Sequence, residues 1–174
     1  MTSILSDLQL ELRYYIPEDR PYIQGLFTDL AIQQRYQPWL TKPYHPSQLD
    51  AVLATWHDGE HHLLFTIKHQ SSHEPIGLAN LDQIDLYNRH AEIGIGIANE
   101  KFRGQGYATA ALRLLMQYAH DQMGLQRIYA RVIDGNEASK ACFEKLGFQL
   151  EGIQRKHVYR DGQWLDLYLY GYLY

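Results

Sequence analysis

Arg103, Gly104 and Gly106 stand close together in "EKFRGQGYATAAL" (100–112), between a strand-like run and a helix-like run. Such a grouping can hold an anion. A helix that begins here offers unpaired backbone N–H groups and the positive end of its dipole. The glycines let an anion approach with no Cβ in the way, and the arginine can add charge-assisted hydrogen bonds. Two well-known phosphate-binding patterns fail. A P-loop needs lysine followed by serine or threonine after its last glycine, where this chain has Tyr107 and Ala108. A dinucleotide fingerprint needs a third small residue where Thr109 stands, inside a βαβ unit that the flanking pattern does not supply. Two readings stay open: a bare helix N-terminus facing an anion, and a tight strand-to-helix turn with no ligand.

Three other residue types invite chemistry. The chain has a single cysteine, Cys142. It can in principle carry an acetyl group, but it falls on the apolar side of a helix beside Ala138 and Ala141, where packing is the expected role. Among the 9 histidines, His57 and His61 are four apart. The glycine between them argues against a continuous helix, and no H-E-x-x-H occurs, so no metal site is expected. Tyr168, Tyr170, Tyr172 and Tyr174 alternate and must share one face of a final strand. That face is a half-buried aromatic surface, a subunit interface or a wall of a cleft.

The elements that hold these residues follow from periodicity and punctuation. Residues 8–15 alternate as a half-buried strand does. From Pro17 to Tyr36, acids in the first turn and apolar Ile23, Leu26, Phe27, Leu30 and Ala31 predict one amphipathic helix. Pro38, Pro43 and Pro46 break the chain before a second helix over about 47–56. Strands are expected at 61–69, 75–86 and 90–99; Gly94 and Gly96 in the last of these mark a bulge or a close backbone approach. Ala108, Ala111, Leu112, Leu115 and Ala119 form the stripe of a helix ending near Gly124. After a strand at 126–133, "NEASKACFEKLGF" reads as a short helix with Asn136 as N-cap and Gly147 at the left-handed C-terminal position. Two strands around "RDGQ" finish the chain.

The 174 residues, 45% hydrophobic and 21% charged, suit one compact domain spanning 1–174. A formal charge of −4 supplies no basic surface for nucleic acid. Apolar runs are too short for a membrane span, and the N-terminal residues lack the pattern of a secretory signal, so a cytoplasmic protein is expected. Strands interleave with helices in an order that predicts a mixed α/β fold whose sheet need not be parallel.

Arg103-x-x-Gly106-x-Ala108 after "AEIGIGI" resembles the pyrophosphate loop of the GNAT superfamily of N-acetyltransferases, and "NEASKACFEKLGF" resembles its second cofactor segment. Within that superfamily, "HAEIGIGI", "N-x-x-S" and "DGQWLDLYLYGYL" are most similar to the Rim-type branch that acetylates the N-termini of ribosomal proteins, and also to spermidine N-acetyltransferases. The resemblance implies a single domain built on a central, mostly antiparallel twisted sheet with helices on both faces, using acetyl-CoA as co-substrate. It implies that backbone N–H groups of Arg103, Gly104, Gln105, Gly106, Tyr107 and Ala108 cradle the pyrophosphate. The strand edge at Gly96, Ile97 and Ala98 would pair with the pantetheine amides, and Asn136 and Phe143 would line the thioester end. Glu92 is then the expected base that deprotonates a primary amine; its structural alternative is a solvated strand residue paired with Arg89. Phe143 stands where many members carry a proton-donating tyrosine. Ser139, one turn earlier, becomes the expected donor to the departing thiolate. The acceptors implied are a peptide N-terminus first and a polyamine second, with Asp82 and Asp85 as carboxylates for the latter. A non-catalytic acyl-CoA-binding module is the alternative of another kind, and a homodimer is a further expectation carried by the resemblance.

Overall fold

Alternation in the first strand is realised as β2 (Leu10–Tyr14), whose Leu10 and Leu12 are fully buried. A computed structural model describes residues 5–6, 9–38, 42 and 44–174; Leu8, Pro43 and part of the loop "QPWLTKPYHPS" lie outside them. Before β2 runs a two-residue strand, β1 (Leu5–Ser6), too short to leave a periodic trace. The segment expected as one helix is instead a 3₁₀ turn at Pro17–Asp19 followed by α1 (Arg20–Ile23), α2 (Gly25–Thr28) and α3 (Leu30–Tyr36). Asp29 causes the last break. Its backbone is extended, with φ −90° and ψ 114°, and its carboxylate accepts hydrogen bonds from Ala31 and Ile32, so it caps a new helix instead of continuing the old one. Ile23, Leu26 and Phe27 are buried as expected, whereas Leu30 and Ala31 are exposed because the break rotates α3 away from the stripe.

The next helix, α4 (Pro46–Thr55), leads to β3 (Leu63–His69), β4 (Pro75–Asp85) and β5 (His90–Ile97). Then come α5 (Tyr107–Asp121), β6 (Arg127–Ile133), α6 (Glu137–Lys145), β7 (Gln149–Arg160) and β8 (Gln163–Leu173). The strands form one sheet in the order β1-β2-β3-β4-β5-β6-β8-β7, so the molecule is a single α/β domain. Every neighbouring pair is antiparallel except β5 and β6.

Helices cover both faces. One core joins Leu112, Leu115 and Phe143 of α5 and α6 to Phe65, Ile67, Leu81 and Ile128 of the sheet. On the other face, Ile23 and Phe27 of α1 and α2 and Leu49 and Leu53 of α4 meet Leu64 and Leu78. Asp19 fixes the entry to α1: its buried carboxylate pairs with Arg13 of β2 and accepts from Thr66 of β3. The tyrosine face of β8 packs inward. Tyr170 is buried and hydrogen-bonded to Glu144, Tyr174 donates to Met116 O, and Lys140 sits over Tyr168, which is the half-buried aromatic surface among the three readings.

Candidate active site

The site begins where two strands stop pairing. β5 and β6 run side by side only at His90↔Arg127, Ala91↔Ile128 and Glu92↔Tyr129. Beyond Glu92, β5 stays bound to β4 while β6 stays bound to β8, so the two diverge. Among the described residues, the edge of β5 from Ile93 to Ile97 therefore has no strand partner on that side, and its backbone groups face the opening. Gly94 and Gly96 are close-approach positions. A Cβ on Gly94 would meet Asn80 Oδ1 at 2.5 Å, and one on Gly96 would touch Leu26 at 3.3 Å. That is the tight packing their place in a strand implies, and no bulge is needed to explain them.

At the end of β5, α5 starts with the glycine pair. Gly104 and Gly106 have φ of +71° and +88°, in the left-handed region that a Cβ disfavours, and Gly106 is the N-cap. No side chain caps the helix. Among the described residues, none of the backbone N–H groups from Gly104 to Thr109 has a hydrogen-bond partner within the chain. Unpaired N–H groups over this span, with the helix dipole behind them, fit a pyrophosphate. Arg103 plays a different part from the one expected of it. Its Nε donates to Ile97 O at 3.0 Å, Nη2 to Ala98 O at 3.1 Å and Nη1 to Glu100 at 3.1 Å, so the guanidinium ties the loop to the end of β5. The same bonds occupy the carbonyls of Ile97 and Ala98, leaving the free edge before them, through Gly96, for pairing with an amide-bearing ligand.

α6 closes the other side of the opening. Asn136 caps it through Oδ1 to Ser139 N, and its Nδ2 donates to Arg35 O, which fastens α3 over the gap. Both polar ends of Asn136 are thus engaged in positioning. Ser139 and Phe143 line the cavity one turn apart. Phe143 is 3% exposed and meets Phe148 edge-on, whereas the Ser139 hydroxyl has no hydrogen-bond partner among the described residues. Cys142 points elsewhere. Its sulfur contacts Thr109 Oγ1 at 3.2 Å and burial pushes its thiol pKa up, so it is a packing residue.

Glu92 lines the same cavity, at the mouth of the divergence. Its partner is Arg131, not Arg89, and it is not solvated: its side chain is 14% exposed. Oε1 accepts from Arg131 Nε at 2.9 Å, and Oε2 lies 2.8 Å from Nη2 in an ion-pair contact that is not aligned as a hydrogen bond. Burial pushes the Glu92 pKa up, and Arg131 works against that rise. Directly across on β4 stands Asp82, likewise raised by burial and held by His62 Nδ1 at 3.1 Å and Asn80 Nδ2 at 2.6 Å. Asp85 is not in the cavity; it closes the β4–β5 turn by binding Asn88. Phe27, Trp56, Tyr36 and Gln37 are among the other residues of the wall. Gln37 is 5% exposed, and its buried Oε1 has no partner among the described residues.

Arg131, Gln37, Asn80 and His62 escape a reading of the sequence. Only Arg131 leaves a trace there, as a charged residue inside "RIYARVI", where its neighbours Ala130 and Val132 are buried. The histidines serve locally. His57 Nδ1 accepts from Leu64 N and His62 holds Asp82, and no cluster of metal-ligating side chains occurs among the described residues. No helix among them is long and apolar enough to cross a membrane.

Comparison with known proteins agrees with this geometry. Residues 9–149 match the family described as the acetyltransferase (GNAT) domain. The chain is 35% identical to the "Putative ribosomal N-acetyltransferase YdaF" of Bacillus subtilis (strain 168) over 175 residues, covering 94% of this chain and 91% of the relative. It is 30% identical to the spermidine N(1)-acetyltransferase of Escherichia coli (strain K12) over 159 residues, 89% of this chain and 81% of that one. The spermidine N-acetyltransferase of Vibrio cholerae, solved with CoA and spermine, superposes with a TM-score of 0.85 at 24% identity, covering 96% of both chains, and so shares the fold.

Proposed function

The chain belongs to the acetyltransferase (GNAT) domain family and is an acetyl-CoA-dependent N-acetyltransferase; on that premise we propose that its acceptor is a peptide or protein N-terminal amine. Transfer is direct, in a ternary complex, with Glu92 as base and Ser139 as hydrogen-bond donor to sulfur. The reading of a non-catalytic acyl-CoA-binding module gives way to family membership.

Acetyl-CoA, when bound, supplies an activated acetyl carbonyl and a thiolate leaving group. The remaining work falls to the chain. Backbone N–H groups from Gly104 to Thr109 hold the pyrophosphate, the free edge of β5 orients the arm, and Phe143 walls off water. The acceptor arrives as an ammonium and gives one proton to Glu92, which passes it to water. Its freed lone pair attacks the acetyl carbon, the N–C bond forms and the C–S bond breaks. The second proton lost by nitrogen ends on the sulfur, where the Ser139 hydroxyl stabilises developing charge. Phe143 has no proton to contribute.

The observation that carries the acceptor assignment is the charge balance of the cavity. Glu92 is paired there with Arg131 and Asp82 with His62, Arg35 also lines the cavity, and the other carboxylate considered for a polyamine, Asp85, is engaged outside. A polycation needs surplus carboxylates, and among the described residues of this cavity neither carboxylate lacks a partner. An α-amine also suits a base that is already half committed to an arginine. With a pKa of about 7.7–8.0 it is roughly a tenth free at neutral pH, against less than about one part in a thousand for a lysine-like amine near 10.4. Initial rates with an Ala- or Ser-initiated peptide and with spermidine test the assignment. The peptide should show the higher kcat/KM by about tenfold or more, a difference of about 1.4 kcal/mol in transition-state binding. Faster turnover of spermidine overturns it.

A further inference from the structure

The divergence of β5 and β6 is bridged by one ion pair. Glu92 is the last residue of β5 paired to β6, opposite Tyr129, and Arg131 is the next residue of β6 on the same face. We propose that Arg131 is the positioning residue for Glu92: reaching across the mouth of the opening, its guanidinium meets both carboxylate oxygens and fixes the base in place beside the cavity. This rests on the reading of Glu92 as the base.

Geometry makes the case. Arg131 Nε donates to Oε1 at 2.9 Å and Nη2 lies 2.8 Å from Oε2, so the guanidinium meets the carboxylate side-on at two points. A carboxylate held at two points is fixed in rotation, and with about four lone-pair sites it keeps others for a proton. Arg131 is itself only 28% exposed, and Glu92 is its one ion-pair partner among the described residues, with Asp82 feeling its charge from further off.

The surroundings of Glu92 explain why a cation is needed there. Across β4 it faces Asp82, a like charge whose own partners are His62 and Asn80. From β6 it faces the Tyr129 ring and Arg131, from α3 Arg35 reaches the same cavity, and α6 presents the uncharged Ser139. Burial and Asp82 both favour the protonated acid, and a protonated Glu92 cannot accept the amine proton. Arg131 is the nearest group that opposes them. Removing its charge must therefore raise the pKa of Glu92 and carry the acid limb of the kcat–pH profile upward, while Arg131→Lys keeps a cation and must largely restore it.

The experiment is the pH dependence of kcat for wild type, Arg131→Met, Arg131→Gln and Arg131→Lys, at saturating acetyl-CoA, with whichever of an Ala-initiated peptide or spermidine the wild type turns over faster. Carbon-13 NMR titration of the Glu92 carboxyl, identified by its loss in Glu92→Gln, follows the same group without any acceptor. The expected result is an upward displacement of the acid limb and of the NMR titration by about one to three pH units in Arg131→Met. A smaller displacement is expected in Arg131→Gln, less than about one unit in Arg131→Lys, and activity of Arg131→Met should recover at high pH. Folding is checked by thermal melting, and Arg131→Gln, which retains a hydrogen-bond donor, decides the matter if Arg131→Met does not fold. A limb and a carboxyl titration unmoved in a folded, uncharged variant overturn the positioning role. Wild-type kcat in Glu92→Gln instead removes the base reading itself, a result that the Arg131 variants cannot mimic.

Discussion

The two halves of the active site are built from different materials. The half proposed to hold the cofactor is backbone: N–H groups from Gly104 to Thr109 and the edge of β5, with no side chain among the described residues capping α5. The half proposed to receive the acceptor is side chains: Glu92, Arg131, Asp82, Gln37 and Ser139, which line one cavity from β5, β6, β4, the end of α3 and α6. Backbone groups are the same in every sequence, so the first half can be specified by a few glycines that set dihedral angles. The second half depends on which side chains meet, and the partners come from distant parts of the chain. Damage to the first half should therefore appear in acetyl-CoA binding, and damage to the second in turnover and acceptor KM.

The widest separation between the halves is expected for Glu92→Gln. Losing the base should lower kcat by about 10²–10⁴-fold while calorimetric affinity for acetyl-CoA stays at the wild-type value. A parallel loss of acetyl-CoA affinity would mean that the halves are one cooperative unit. The converse comes from Gly106→Ala. At φ +88° an alanine is strained by about 1–2 kcal/mol, although no atom stands where its Cβ would go. Straightening that turn misdirects the N–H groups, and acetyl-CoA should bind about tenfold more weakly. Once the cofactor is saturating, kcat should recover. Gly106→Asn, which tolerates the left-handed conformation better, should lose less.

Legibility in the sequence follows the same division. The glycine turn, the Asn136 cap and the left-handed Gly147 were readable because each is a local bargain between a residue and its own backbone. The alternation of the strands was readable for the same reason. The helix expected over 17–36 was not, because Asp29 can end one helix or begin another, and tertiary packing decided. Glu92 could be named from "HAEIGIGI", but its partner could not. Arg131 lies far along the chain, and nothing near Glu92 says that β6 will bring a guanidinium across a gap that exists only because two strands part. Arg103 shows the reverse error: its place beside the glycines suggests an anion ligand, and its side chain instead anchors the loop to Ile97 and Ala98.

The smallest expected effect is the most diagnostic of how the acceptor half is made. Gln37 is 5% exposed and its buried Oε1 has no partner among the described residues, a condition that costs stability of about 1–3 kcal/mol when nothing occupies the place. Gln37 lines the cavity wall, and a turn of its side-chain amide on binding would present that oxygen to an N–H of the proposed peptide acceptor. Gln37→Leu should therefore raise the acceptor KM by about two- to tenfold, the worth of one neutral hydrogen bond, with kcat and acetyl-CoA affinity unchanged. The same substitution removes an unpartnered acceptor from the fold, so the thermal midpoint should hold or rise. Opposite signs for affinity and stability are the signature of a residue kept for its ligand. If the midpoint falls and KM does not move, Gln37 is a packing residue, and recognition on the acceptor side rests on the Glu92 end of the cavity alone.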